Sequence, residues 1–79
     1  MRVRKNIATS EEGFLFNPTT GDSFSTNPIG SEIILMLKKD KNLKDIANEI
    51  CDKYDVDKSL FERDLDDFTL QLKEFSILE

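Results

Sequence analysis

The chain has 79 residues, 38% hydrophobic and 34% charged, with a net charge of −5, one cysteine and no histidine. That length suits a single domain, 1–79, burying roughly 60% of its unfolded surface, and no apolar run approaches a membrane span. The missing histidine removes the commonest general base and metal ligand, while the lone cysteine excludes an intrachain disulfide and fits a reducing compartment, the cytoplasm.

From the amino terminus, Arg2 to Thr9 reads as a weak strand, with Val3 and Ile7 on one face and Arg2 and Arg4 on the other. Ser10-Glu-Glu-Gly13 is a turn, and Phe14, Leu15 and Phe16 form a second strand of aromatic and branched residues. Pro18 and Gly21 bracket the next turn, where proline presets φ and glycine permits a positive one. The third strand runs from about Asp22 to Thr26, with Phe24 on the face opposite Ser23 and Ser25. So short a hairpin is marginal in water. It has to rest on the helices that follow and on another strand, from its own chain or a partner.

Asn27 caps the first predicted helix and Pro28 takes its first position, with Ile29, Ile33, Met36 and Leu37 at helical spacing. After the polar loop Lys38–Asn42, Asn42 caps a second helix with Asp45 three residues on, and Leu43, Ile46, Ala47, Ile50 and Tyr54 make its apolar face. Asp57 caps the third, where Phe61, Leu65, Phe68, Leu72 and Phe75 fall on one stripe; on this reading that stripe is core. Ile77 and Leu78 form an apolar tail expected to fold back on the core. Strands first and helices after predict an α+β domain with the helices on one face of the sheet.

Several motifs invite functional readings that their chemistry does not support. Asp55, Asp57, Ser59 and Asp66 match positions of a calcium loop, but Leu60 stands where its turn needs glycine and Asp66 where it needs a bidentate Glu. Asp57-Lys-Ser59-Leu60 resembles a carrier-protein attachment site, but Lys58 intervenes and strands lead the chain, so Ser59 is read as an early helix residue. Cys51 has no histidine to activate it and is read as a small buried hydrophobe. A hairpin with three helices also suits a DNA-reading winged helix. Here, however, the third helix sets Asp57, Glu62, Asp64, Asp66, Asp67 and Glu74 against only Lys58, Arg63 and Lys73, which repels phosphates. No catalytic, metal or cofactor residues emerge.

Leu15-Phe-Asn-Pro-Thr-Thr-Gly-Asp-Ser-Phe-Ser-Thr-Asn27, Gly30-x-x-Ile33-x-x-x-Leu37, Asn42-Leu-x-Asp-Ile46, Tyr54-Asp-Val-Asp57 and Asp64-Leu-x-x-Phe68-x-x-x-Leu72, in that order, resemble the PqqD-like family of small accessory proteins in modified-peptide pathways. Ile34 stands where the family often has Trp, Lys41 where Gly is common and Thr26 where an aliphatic residue is usual. The resemblance implies a winged-helix-like domain, a three-stranded antiparallel sheet followed by three helices. It implies a non-catalytic adaptor, without a cofactor of its own, that takes the leader of a ribosomally made precursor peptide as a strand added to the third strand. The adaptor would present that peptide to a modifying enzyme such as a radical S-adenosylmethionine maturase. Nucleic acid and membrane are not expected partners. A regulatory winged-helix domain mediating protein–protein contacts is the alternative.

The residues themselves favour the same edge. Arg2, Arg4 and Lys5 would blunt the first strand, whereas Asp22 to Thr26 has no lysine or proline. The expected peptide-binding residues are therefore Ser23, Phe24, Ser25 and Thr26 on the edge and Leu60, Asp64, Asp67 and Gln71 on one flank of the third helix. Asp64 also matches the family's recurrent Asp. The opposite flank, Lys58, Glu62, Thr69 and Lys73, is the alternative wall. Residues 6–79 carry eight bases against sixteen acids, so the expected peptide is basic near its anchors.

Overall fold

The computed structural model describes residues 2–79. Strands β1 (Ala8–Thr9), β2 (Phe14–Asn17) and β3 (Asp22–Ser25) precede helices α1 (Pro28–Lys38), α2 (Leu43–Lys53) and α3 (Lys58–Glu74). The sheet is an antiparallel meander in the order β1-β2-β3, as the α+β reading expects. Alternation along β2 turns Leu15 and Asn17 into the molecule and leaves Phe14 and Phe16 exposed on the other face.

Asn27, Asn42 and Asp57 each accept a backbone N–H from three residues on, at 2.7, 2.8 and 3.0 Å, so all three predicted caps start their helices. Helices α1 and α3 also end alike. Asp40 and Ser76 take φ of 60°, and the N–H groups of Lys41 and Ile77 return to the carbonyls of Met36 and Leu72 at 3.1 and 2.8 Å. This turn sends Ile77 and Leu78 back into the core, where they are 1% and 3% exposed. They pack there with Ile33, Ile34 and Leu37 of α1 and with Ile46, Ala47 and Ile50 of α2.

Three sequence expectations need correcting. Arg2 to Thr9 is not one strand. Only Ala8–Thr9 joins β2, while Val3 bridges Leu78, Arg4 N–H donates to Ile77 O at 2.9 Å and Arg2 pairs with Glu79 at 3.0 Å. The basic residues therefore do not guard the β1 edge, which is simply two residues long. Cys51 is half-buried rather than buried.

The third correction concerns α3. Its buried residues are Phe61, Leu65, Thr69 and Leu72, whereas Phe68 is half-buried and Phe75 is 49% exposed, its ring 4.7 Å from that of Phe24. Helix α2 lies against α3 on the flank of Lys58, Glu62 and Asp66, the flank on which Thr69 is buried, and Phe68 is left at the opposite border of the buried face.

Candidate functional site

Phe68 borders a groove of about 640 Å³ between the end of β3, α1 and α3. Ile29, Gly30 and Ile33 of α1 and Phe61, Leu65 and Phe68 of α3 form its apolar floor. Gly30 lets the sheet side come close to this floor. A Cβ there would lie 3.0 Å from Thr26 Cβ and 3.2 Å from Asn27 Oδ1, tight enough that the strand end would have to give, while Phe68 Cζ at 3.5 Å would be in ordinary contact. Val56 and Asp57 close one end, and Ser25, Thr26 and Asn27 the side toward the sheet.

Of the residues expected from sequence, Ser25, Thr26, Leu60, Asp64, Asp67 and Gln71 line this groove, while Ser23 and Phe24 do not. Ser23 lies on the outer edge of β3, opposite Phe16, and Phe24 is taken up by its stack on Phe75. The other flank of α3 is not a second wall of this groove. Lys58 and Glu62 face α2 across a separate depression, and Thr69 is buried, its hydroxyl donating to Asp66 O at 2.9 Å. Sequence reasoning missed the floor because Ile29 and Ile33 look like any helix core. Gly30, a glycine inside an apolar helical repeat, was the available signal.

The open edge follows from the ladder. Thr26 N–H donates to Gly13 O at 2.8 Å, so alternation points the backbone groups of Phe24 and Asp22 toward β2 and those of Ser23 and Ser25 outward. The groove's rim is acidic. Asp57, Asp64 and Asp67 line it and, among the described residues, no Lys or Arg does. One Asp57 oxygen caps Leu60, and among the described residues Asp64 and Asp67 take part in no ion pair.

Among the described residues no group of three or more His, Cys, Asp and Glu is placed to hold a metal ion, and no helix is long and apolar enough to cross a membrane. An edge with free backbone groups beside an apolar, acid-rimmed groove is an arrangement that accepts an extended peptide.

Comparison with known proteins agrees with this geometry. The sequence model for coenzyme PQQ synthesis protein D (PqqD) matches residues 12–78. No curated protein matches the chain. Among solved structures, TbiB1 in complex with the TbiA(beta) leader peptide is similar with a TM-score of 0.93 and 32% identity, over 100% of this chain and 95% of that one. Lasso peptide synthetase B1 complexed with the leader peptide gives 0.88 at 23% identity, over 99% and 95% of the two chains, a likeness of fold. By the match over residues 12–78 and the 32% identity along its whole length, the chain belongs to the PqqD family.

Proposed function

We propose that this chain is a non-catalytic adaptor that binds the leader of a ribosomally made precursor peptide as a strand added to β3, against α3, and presents it to a modifying enzyme. The observation that carries the reading is the pairing of the outward backbone groups of Ser23 and Ser25 with the apolar groove beside them. Backbone bonds along such an edge supply affinity and the groove supplies side-chain selection. The likeness to TbiB1, described in complex with a leader peptide, supports it. The enzyme partner is of the class the family resemblance implies, a radical S-adenosylmethionine maturase or another peptide-modifying enzyme. The single unpaired Cys51 suits the cytoplasm, where thiols stay reduced.

Titration of isotope-labelled protein with the leader encoded beside its gene tests the proposal. The amides of Ser23 to Thr26 and of the groove-lining residues of α3 shift together if it is right. Shifts confined to Ala8–Thr9, or to the outer face around Phe14 and Phe16, would overturn it.

A further inference from the structure

Asp64 and Asp67 are exposed carboxylates one helical turn apart, on the flank of α3 that borders the groove. Their spacing along the axis is ~4.5 Å, so they repel each other at a distance that one cation spans. The three bases of α3 are Lys58, Arg63 and Lys73, and none lines the groove. Of the bases at the amino terminus, Arg2 is held by Glu79. The groove thus combines an apolar floor with carboxylates that take part in no ion pair among the described residues, at a lip where Leu60 is 58% exposed. Arg63 lies about 100° round from Asp64; it stands four residues and about 40° from Asp67, yet the two form no ion pair and Arg63 does not line the groove.

We infer that the strand seated on β3 is selected for a basic side chain, best an arginine, bridging Asp64 and Asp67, together with an apolar side chain on the same face of the strand that enters the groove beside Leu60. This rests on the adaptor reading and adds the chemistry by which one peptide is preferred over another. A guanidinium suits the position because its planar fork donates to two carboxylates at once, where an ammonium acts as a point charge. Since side chains of a strand alternate between faces, the basic and apolar residues stand an even number of positions apart. An acidic peptide of equal hydrophobicity meets Asp57, Asp64 and Asp67 and is rejected.

The test is a selection of displayed random twelve-residue peptides on the whole protein and, in parallel, on a D64N/D67N variant. Recovered peptides are checked by amide shifts of the labelled protein. The expected result on the parent is enrichment of Arg or Lys at an even spacing from an apolar residue. The variant keeps the apolar preference and loses the basic one. Replacing the selected Arg by Met should cost ~10-fold in affinity on the parent and under ~2-fold on D64N/D67N, the sign of direct coupling between the charges. Peptides that shift Ser23 to Thr26 without a basic preference, or with one that survives in D64N/D67N, overturn this inference and leave the adaptor reading standing. Peptides that bind without shifting those amides, or no recovered peptides at all, overturn both.

Discussion

Gly13 and Thr26 close the open end of the hairpin by direct contact. Thr26 donates its N–H to the Gly13 carbonyl at 2.8 Å and its hydroxyl to the same oxygen at 3.2 Å. A Cβ on Gly13, whose φ is +92°, would lie 2.6 Å from the Thr26 carbonyl oxygen. This contact fixes where β3 ends and α1 begins, and with it the sheet side of the groove.

Gly13→Ala should therefore destabilise the protein by about 2–4 kcal/mol, combining backbone strain with displacement of Thr26. Gly21 makes the control. Its φ is +78° but open space surrounds it, so Gly21→Ala should cost only about 1 kcal/mol. Urea midpoints of the two variants measure the difference, and equal losses would show that the Gly13 contact contributes nothing.

Phe68 separates stability from binding. Ile46 is fully buried, and Ile46→Ala should cost about 2–5 kcal/mol. Phe68, half-buried at the border of the groove, should cost about 1–3 kcal/mol on truncation, less than a core phenylalanine, and should also weaken leader binding. Chemical denaturation and calorimetric titration check the two effects. A loss for Phe68→Ala as large as that for Ile46→Ala would return Phe68 to the core.

The flank of α3 is tested by three alanine variants. Leu60→Ala and Asp64→Ala should each weaken leader binding by about 1–2 kcal/mol, while Lys73→Ala, away from the groove, should leave it unchanged. The reverse pattern, read by fluorescence anisotropy, would move the peptide to the other side of the helix.

One interhelical pair couples stability to pH in the acid range. Lys53, at the end of α2, donates to Glu32 of α1. That hydrogen bond holds the Glu32 carboxyl below its ordinary range. A carboxyl lowered in the folded state contributes stability that is complete above its unfolded pKa and lost as pH falls through the folded one. Glu32→Gln should thus be less stable than the parent at neutral pH, and the two stabilities should converge below the ordinary glutamate range. Urea midpoints measured from neutral pH into acid check this, and curves that stay parallel would show that the pair is not linked to folding.

What was legible in the sequence was local. Asn27 before Pro28, Asn42 before Asp45, and Asp57 each satisfy amides within three residues, so their capping role needs no knowledge of the fold. The groove residues on α3 were legible for a similar reason, since helical geometry alone puts Leu60, Asp64, Asp67 and Gln71 on one flank. Residues whose setting depends on distant partners were not. Ile34 sits off the apolar repeat read for α1, yet it is 2% exposed. Asn17, between the predicted second strand and the Pro18 turn, had no structural role in that reading. It is 2% exposed, with its amide nitrogen 3.5 Å from Ser76 O and its side-chain oxygen accepting from Thr19 N–H at 3.0 Å, so it ties the hairpin to the end of α3. Phe75 kept the period of the stripe but lies at the end of α3, where its stacking partner is Phe24 of β3.

The bridge between Val3 and Leu78 also has a consequence for the order of synthesis. Arg2 and Glu79, which extend that pairing, are 77 positions apart. At ribosomal speeds the first of them waits roughly 4–15 s for the second. Throughout that interval Val3 lacks its bridge partner, and the places later filled by Ile77 and Leu78 stand open to water. The helices can form as they emerge, because their caps and turns are local. The core they surround stays unsealed, and exposed to chaperones and proteases, until Ile77 and Leu78 have left the exit tunnel.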